Sequence, residues 1–519
     1  MYEAVHEILI QAIRVAALLH DIGHPPYSHV IERAMKVAFK EYEKLAGGKE
    51  TKYIETMNKY IGEEKKLHEV MGDEISRSIL KGILMKTKET GKPDEILFEI
   101  LILETVLKIY EDEEKFQHLH RIIDSSLDGD RLDYVTRDPA NSGMNVGSID
   151  YNRIIMDMRI VVKDNKPYFC IPLKAVNAVE DFLKRRYDLY KNIIFHHRVI
   201  KTDYLMEHAV ANLIKEYYKI EKTEELEEEK ETIPFDISGL WAPLGIGALK
   251  QRDCILSQWN DSWLITVLKK IYYEQYYEID NEDITRYVIS KQFAELLNNQ
   301  RNYITVIKRN EDFIYVDREV RKVLLDNKES LQNKINNLNQ KSEQYIKNNE
   351  DSAIKMLNVD EFLKQIVNPL TQESVDDSAF IMAKILHLKN TFLTNDIEEK
   401  MKHIVEEVCR EKLMDKKFLD CIVVFKQITS GLEPEKQIFF SDNSGKPISL
   451  DEASSIDKVF RTENLYRPVF YLYILVDGDK DETIKKKGEL LSEIGKRIGE
   501  IILETINARL YELIKPFSI

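Results

Sequence analysis

Apolar residues recur at three- and four-residue intervals in YEAVHEILIQAIRVAALLHD (2–21), DEILFEILILETVLKIYED (94–112) and DYLMEHAVANLIKEYYKI (203–220). That spacing puts them on one face of an α-helix, and it predicts helix over most of residues 1 to about 300. The stretches GGK (47–49), TGKPD (90–94) and the acidic run EKTEELEEEKET (221–232) interrupt it and read as exposed loops. Two β-rich runs around a DNK turn, in RIVVKDNKPYFCIPL (159–173), predict a short hairpin. From about 326 to 353 the chain is polar and rich in Asn, Gln and Lys, as in a solvent-facing helix or a mobile connector.

The pattern then changes. DCIVVFKQI, KQIFFSD and RPVFYLYILVD are β-branched and aromatic runs separated by turn signals such as SDNSGKP, and a long amphipathic helix from Ile484 to Leu513 follows. The expected fold class is mainly α with a short β-hairpin and a small C-terminal α+β subdomain. Residues 1–325 are expected to form the helical body, 326–395 a polar helical connector and 396–519 the α+β subdomain.

Hydrophobic residues make up 43% and charged residues 32% of the 519, which is the balance of a globular chain with a large core. There is no apolar run of about 18 residues, so no membrane span is expected. The first residues lack the basic region and small-residue cleavage site of a signal peptide. Four scattered cysteines, Cys170, Cys254, Cys409 and Cys421, form no CxxC pair. That spacing argues against a zinc–thiolate site and fits a reducing, cytoplasmic location. A net charge of −15 disfavours broad nucleic-acid or anionic-membrane binding, so an anionic substrate would need a local cationic pocket or a metal. The segment LKRRYDLYKNIIFHHRVIK (183–201) supplies such a basic patch.

Candidate chemistry concentrates in two places. In LLHDIGHPPYSH (18–29), three histidines and an aspartate follow an apolar helical stretch. Gly23 is expected in a left-handed conformation that ends the helix, and Pro25–Pro26 prevents its continuation. His20 and Asp21 then sit at a buried helix end, where an ionised carboxylate needs a partner. A divalent cation held by imidazole and carboxylate, whether Mn, Fe, Zn or Ni, or Mg with more oxygen ligands, is one solution. A His–Asp hydrogen bond capping the turn is the other. In SSLDGDRLDYVTRDPANSG (125–143), a helix beginning after Gly129 would align Asp130, Asp133, Tyr134, Arg137 and Asp138 as a polar stripe. This stripe is either plain surface or a pocket wall, with Asp130 completing a metal shell.

The pair HDIGHPPYSH and DGDRLDYVTRD resembles the HD-domain phosphohydrolases. More narrowly it resembles their deoxynucleoside triphosphate triphosphohydrolase branch, which includes bacterial dGTPases and the vertebrate SAM-and-HD-domain restriction factor. LHEVMGDEISRSIL (67–80) and RRYDLYKNIIFHHR (185–198) fit the branch's His–Glu and Arg-rich elements. The resemblance covers roughly residues 8 to 210 and is looser to about 310. It implies an HD-domain helical bundle, with His20, Asp21 and Asp130 as ligands of a divalent metal. His24, His29 and His68 would line the reacting phosphate, with Glu32 and Glu69 orienting histidines. Arg131, Arg186 and His196 would hold the triphosphate, and Tyr134 and Asp138 would face the sugar. The implied reaction releases deoxynucleoside and inorganic triphosphate, and the implied assembly is a homo-oligomer.

Two positions depart from the branch pattern. Its first metal histidine comes from a helix upstream of the HD pair, and only 19 residues precede His20. His6 is 14 positions away on the same expected helix, roughly 21 Å along the axis, too far to share a metal with His20. The expectation is an N-terminally shortened chain; the alternative is a site with three protein ligands. Ile194 stands where the branch usually has a tyrosine near the phosphates. Two other activities stay open: an HD phosphohydrolase acting on another nucleotide or on nucleic-acid ends, and a non-catalytic nucleotide sensor.

Overall fold

The computed structural model describes residues 2–46, 52–61, 66–111, 113–145, 147–156, 158–164, 166–219, 232–244, 256–346, 397–413, 418–426, 428, 437–442, 444–466, 469–478 and 480–514. They form two compact units between which the chain passes repeatedly. One holds residues 1–189, 198–300 and 431–454, and the other 190–197, 301–430 and 455–519. The fold is mainly α with two small sheets, as the periodicity predicts. The expected loops at 47–49 and 221–231, Cys254, and residues 347–395 of the expected connector lie outside the described residues. Among the described residues no helix is long and apolar enough to cross a membrane.

The first unit begins with α1 (Tyr2–Leu19), α2 (His29–Ala46), α3 (Lys52–Ile61), α4 (Leu67–Thr90), α5 (Pro93–Glu111) and α6 (Glu113–Ile123). It continues with α7 (Gly129–Asn141), α8 (Tyr151–Ile155), α9 (Val176–Leu189), α10 (His197–Lys219), α11 (Asp261–Ile271) and α12 (Ile284–Asn298). Two apolar clusters hold it together. Ala12, Ala16 and Leu19 of α1 meet Leu80 of α4, Leu103, Val106 and Ile109 of α5, and Ile123 of α6. A larger cluster joins α2, α3 and α4 to α10, α11 and α12. His20 follows directly on the first cluster and His29 opens a helix of the second, so the two cores bracket the histidine-rich loop.

The predicted hairpin is β1 (Arg159–Lys163) against β2 (Lys166–Pro172), turning at Asp164, whose φ of 51° suits a tight turn. Its sheet does not end there. β5 (Phe439–Ser441) pairs parallel with β2, and β6 (Pro447–Ser449) pairs antiparallel with β5, giving the order β1-β2-β5-β6. Arg159 Nε donates to Ser441 Oγ at 3.0 Å across this sheet.

The second unit is built on β3 (Ile304–Ile307), β4 (Phe418–Lys426) and β7 (Val469–Val476), in the order β3-β7-β4 with antiparallel pairing. Helices α13 (Asn310–Asp326), α14 (Lys328–Ile346), α15 (Ile397–Lys412), α16 (Ile456–Tyr466), α17 (Lys480–Lys485) and α18 (Lys487–Ile514) belong to it. The stretch expected to be a solvent-facing helix is helical, but α14 buries Leu331 and Ile335 in this unit's core. The long helix α18 lies close on α13 because Gly495 and Gly499 leave room. A Cβ at Gly495 would come within 2.4 Å of the Val316 carbonyl oxygen. Between these glycines Ile498 is fully buried. Ile498→Ala is therefore expected to destabilise the protein by about 2–5 kcal/mol, measured by chemical denaturation.

Candidate metal centre and active site

The loop between α1 and α2 owes its position to a backbone contact. A Cβ on Gly23 would lie 2.1 Å from the His68 carbonyl oxygen and 2.2 Å from the Gly72 nitrogen of α4. Gly23 does not take the left-handed conformation expected of it; it is glycine because the loop presses against α4. The positive φ values fall instead on Tyr27 (54°) and Ser28 (52°).

This contact brings together histidines from two stretches of chain. The His24 and His68 rings stack with centroids 4.4 Å apart, and His29 meets them edge-on at 4.9 and 5.0 Å. One ring nitrogen from each lies within 4.8 Å of the others. Glu32, buried on the first turn of α2, organises them. Its Oε2 is 2.8 Å from His68 Nδ1 and 3.6 Å from His29 Nδ1, while its Oε1 accepts from the Leu67 amide at 2.9 Å. Burial opposes ionisation of this carboxyl, but the bonds from His29, His68, the Leu67 amide and Lys36 outweigh it and hold the group well below the usual carboxylate range. Ser28 Oγ and His24 Nδ1 are 2.9 Å apart, which fixes the third ring.

His20 and Asp21 adjoin this cluster. Asp21 Oδ1 is 2.9 Å from His20 Nδ1 and 3.5 Å from His24 Nε2. Hydrogen bonds from His20 and His24 hold the Asp21 carboxyl far below its ordinary range, and the bond to Asp21 raises His20. Asp130 is within electrostatic reach of both: partial desolvation and then the charge of Asp21 raise its carboxyl. The group of described residues whose donor atoms lie within 4.8 Å of one another is His24, His29 and His68. His6 lies on α1 with the run up to Leu19, as its spacing from His20 implies.

The other expected residues divide. The helix α7 begins at Gly129 as expected, capped by Asp128, whose Oδ1 accepts from the Arg131 amide at 2.6 Å. Arg131 Nε is 3.4 Å from Asp128. Buried Arg186 donates from Nε to the Tyr134 hydroxyl at 3.2 Å, joining two residues of the expected substrate pocket. Asp138 lies on the surface side of the stripe, where Arg137 reaches both it and Asp133. Glu69, expected to orient a histidine, is exposed and paired with Lys66 at 2.6 Å, so Glu32 alone of the two acids reaches the imidazoles. His196 lies in the segment 190–197 of the second unit, its ring against His197, and Ile194 ends a π-helical turn there.

His120 and Asp124 also border the site, outside the two motifs. They lie four residues apart, with His120 Nε2 3.8 Å from Asp124 Oδ2, and the charge of Asp124 acts on His20. Their signal was the i, i+4 spacing in HLHRIID, directly before SSLDGD.

The donor chemistry fits a divalent cation. Three imidazoles suit borderline ions such as Zn, Fe or Ni. A neutral His68 that donates from Nδ1 to Glu32 presents Nε2 as a free donor atom, the usual way a carboxylate orients a metal-binding histidine. Because Gly23 brings His68 to His24, Gly23→Ala is expected to cost about 1–3 kcal/mol of stability through overpacking. Thermal denaturation with and without added divalent metal would measure it, the metal-induced gain shrinking in the variant.

Residues 4–124 match the HD domain family. The chain is 27% identical over 186 residues to the uncharacterized protein YwfO of Bacillus subtilis, a match covering 35% of this chain and 32% of that protein. It is 27% identical over 207 residues to the uncharacterized protein MJ1154 of Methanocaldococcus jannaschii, covering 40% and 35%. It is 25% identical over 228 residues to a Dictyostelium discoideum protein described as a deoxynucleoside triphosphate triphosphohydrolase SAMHD1 homolog, covering 43% and 36%. The chain thus spans about a third of the length of these curated relatives. A solved phosphohydrolase from Bacteroides thetaiotaomicron aligns over 91% of this chain and 80% of its own, with 17% identity and a TM-score of 0.43. HD domains bind divalent metals, and the family match falls on the segment that carries the three-histidine cluster and the His20–Asp21 pair. Residues 4–124 of this chain are thus similar to the HD domain.

Proposed function

We propose that the chain is a divalent-metal-dependent phosphohydrolase, and that its substrate is a deoxynucleoside triphosphate. The reading rests above all on one observation: three clustered imidazoles, two of them held by buried Glu32, directly beside His20 and Asp21. Such a set combines proton-carrying rings with a place for a cation. The choice of a deoxynucleoside triphosphate rests on the two motifs and on likeness to the Dictyostelium protein.

In the proposed reaction, water attacks the α-phosphorus, the bond from phosphorus to the 5′ oxygen breaks, and that oxygen receives a proton. Deoxynucleoside and inorganic triphosphate leave. A bound divalent ion would neutralise phosphate charge and polarise the phosphoryl oxygen. His20, Asp21 and Asp130 are proposed to hold it, His24, His29 and His68 adjoining as the alternative donor set. The His68–Glu32 pair is placed to take the proton of the attacking water or to pass one to the leaving oxygen, with Glu32 fixing the ring. Arg131 and Arg186 are proposed to neutralise the triphosphate, and Tyr134 and Asp138 to face the sugar. A homo-oligomeric assembly and a cytoplasmic location belong to the same reading.

A second reading is a nucleotide-binding HD protein without turnover. The observation that favours it is that the close donor group consists of His24, His29 and His68 and does not include His20, Asp21 or Asp130.

Incubating the protein with each dNTP and Mn²⁺ or Mg²⁺, followed by ion-exchange separation of the phosphates, decides between them. Inorganic triphosphate is expected. Pyrophosphate or monophosphate would point to a different phosphohydrolase, and nucleotide-induced thermal stabilisation without hydrolysis would support the sensor. Glu32→Gln is expected to lower kcat/KM by about 10–100-fold. Removing metal with a chelator is expected to abolish turnover, with recovery on adding it back.

A further inference from the structure

The loop that carries His24 and His29 is held in a conformation its own residues disfavour. Tyr27 and Ser28 are consecutive non-glycine residues with φ of 54° and 52°. For a bulky side chain such as tyrosine this is a true outlier, and two in a row persist only where the surroundings fix them. Within the loop, the Ser28 amide donates to the Pro25 carbonyl at 2.7 Å, closing a turn over Pro26 and Tyr27. The amide of Val30 then donates to the Tyr27 carbonyl at 3.2 Å, and α2 begins. These bonds shape the turn but do not anchor it.

The anchor comes from far along the chain. The Tyr27 amide donates to Asp261 Oδ1 at 2.7 Å, across 234 residues of sequence. Asp261 is the first residue of α11, whose Trp263, Leu264, Val267 and Leu268 are buried in the core that also receives α2. α11 has its own cap, because Asn260 Oδ1 accepts from the Trp263 amide at 3.1 Å. The carboxylate of Asp261 is therefore not required as the cap and is spent on the loop. One residue beyond Tyr27, the Ser28 hydroxyl sits 2.9 Å from His24 Nδ1, and the next residue is His29 itself. A rigid helix thus grips the backbone at the strained turn from which two of the three clustered imidazoles are aimed.

We propose that Asp261 is a positioning residue for the histidine cluster: its bond to the Tyr27 amide keeps the Pro25–Ser28 turn in the left-handed form that turns His24 and His29 toward His68. Asp261 touches neither imidazole. Its importance for metal binding rests on the reading of the cluster given above; its effect on ring placement does not.

The experiment uses the full chain and three variants. Asp261→Ala removes the acceptor, Asp261→Asn keeps an oxygen at the same position, and Asn260→Ala weakens the α11 cap without touching the loop. The first readout is the ring ¹H–¹⁵N spectrum of the metal-free protein. The His24 and His29 resonances should move in Asp261→Ala, return toward wild type in Asp261→Asn and stay in place in Asn260→Ala. The second readout is Co²⁺ titration followed by visible absorption. Its affinity should fall tenfold or more in Asp261→Ala, with Asp261→Asn close to wild type. Unmoved His24 and His29 resonances in Asp261→Ala overturn the proposal, as does a shift of equal size in Asn260→Ala, which would mark a general loosening of α11. If the resonances move as expected while wild-type Co²⁺ binding is indifferent to His24, His29 and His68, the positioning role stands and the metal reading of the cluster fails.

Discussion

The contact between the backbones of Gly23 and α4 governs the site. No side chain, however small, fits between Gly23 and the His68 carbonyl or the Gly72 nitrogen. Because the loop lies that close, His68, from a helix some forty residues on, stacks directly on His24. Glu32 then has two imidazoles and an amide within reach, and those bonds keep a buried carboxylate ionised that burial alone would neutralise. The helices supply rigidity, but Gly23 sets the spacing of the rings.

The charges around this spacing are uneven. Asp21 is shared between two histidines and is held strongly acidic, whereas Asp130 is pushed the other way, first by partial burial and then by the negative charge of Asp21. His20 feels three carboxylates, Asp21, Asp124 and Asp130. A region in which acids raise one another and also raise a histidine gains from any added positive charge. That electrostatic character is a property of the protein chain alone.

Much of this was legible in the sequence because it depends on local spacing. The three-and-four periodicity gave helices of the first 300 residues, the β-branched and aromatic runs gave β1, β2, β4, β5 and β7 but not β3 or β6, and the histidines near position 24 gave two members of the cluster. The reading went astray where tertiary contacts decide. Gly23 was assigned a left-handed turn because glycine commonly ends helices, yet its role is close packing, which no local pattern reveals. Glu69 looked equivalent to Glu32 as an acid beside a histidine, but one residue of helical rotation turns it to solvent and Lys66. Asp261 carries no motif at all. Its relation to Tyr27 exists only after two distant segments have been folded together.

The same dependence on distant segments appears in the sheet of the first unit. Cys170 of β2 finds its neighbour in Phe439, and the order β1-β2-β5-β6 is complete only once Ser449 is present. During synthesis, then, the hairpin emerges from the ribosome long before the strand that covers its edge. Until Phe439–Ser441 have been made, β2 presents a bare row of amides and carbonyls. Vectorial folding of this protein must leave its first unit unfinished until residues 439–449 have been made, a setting in which chaperone protection of a nascent edge has an evident physical purpose.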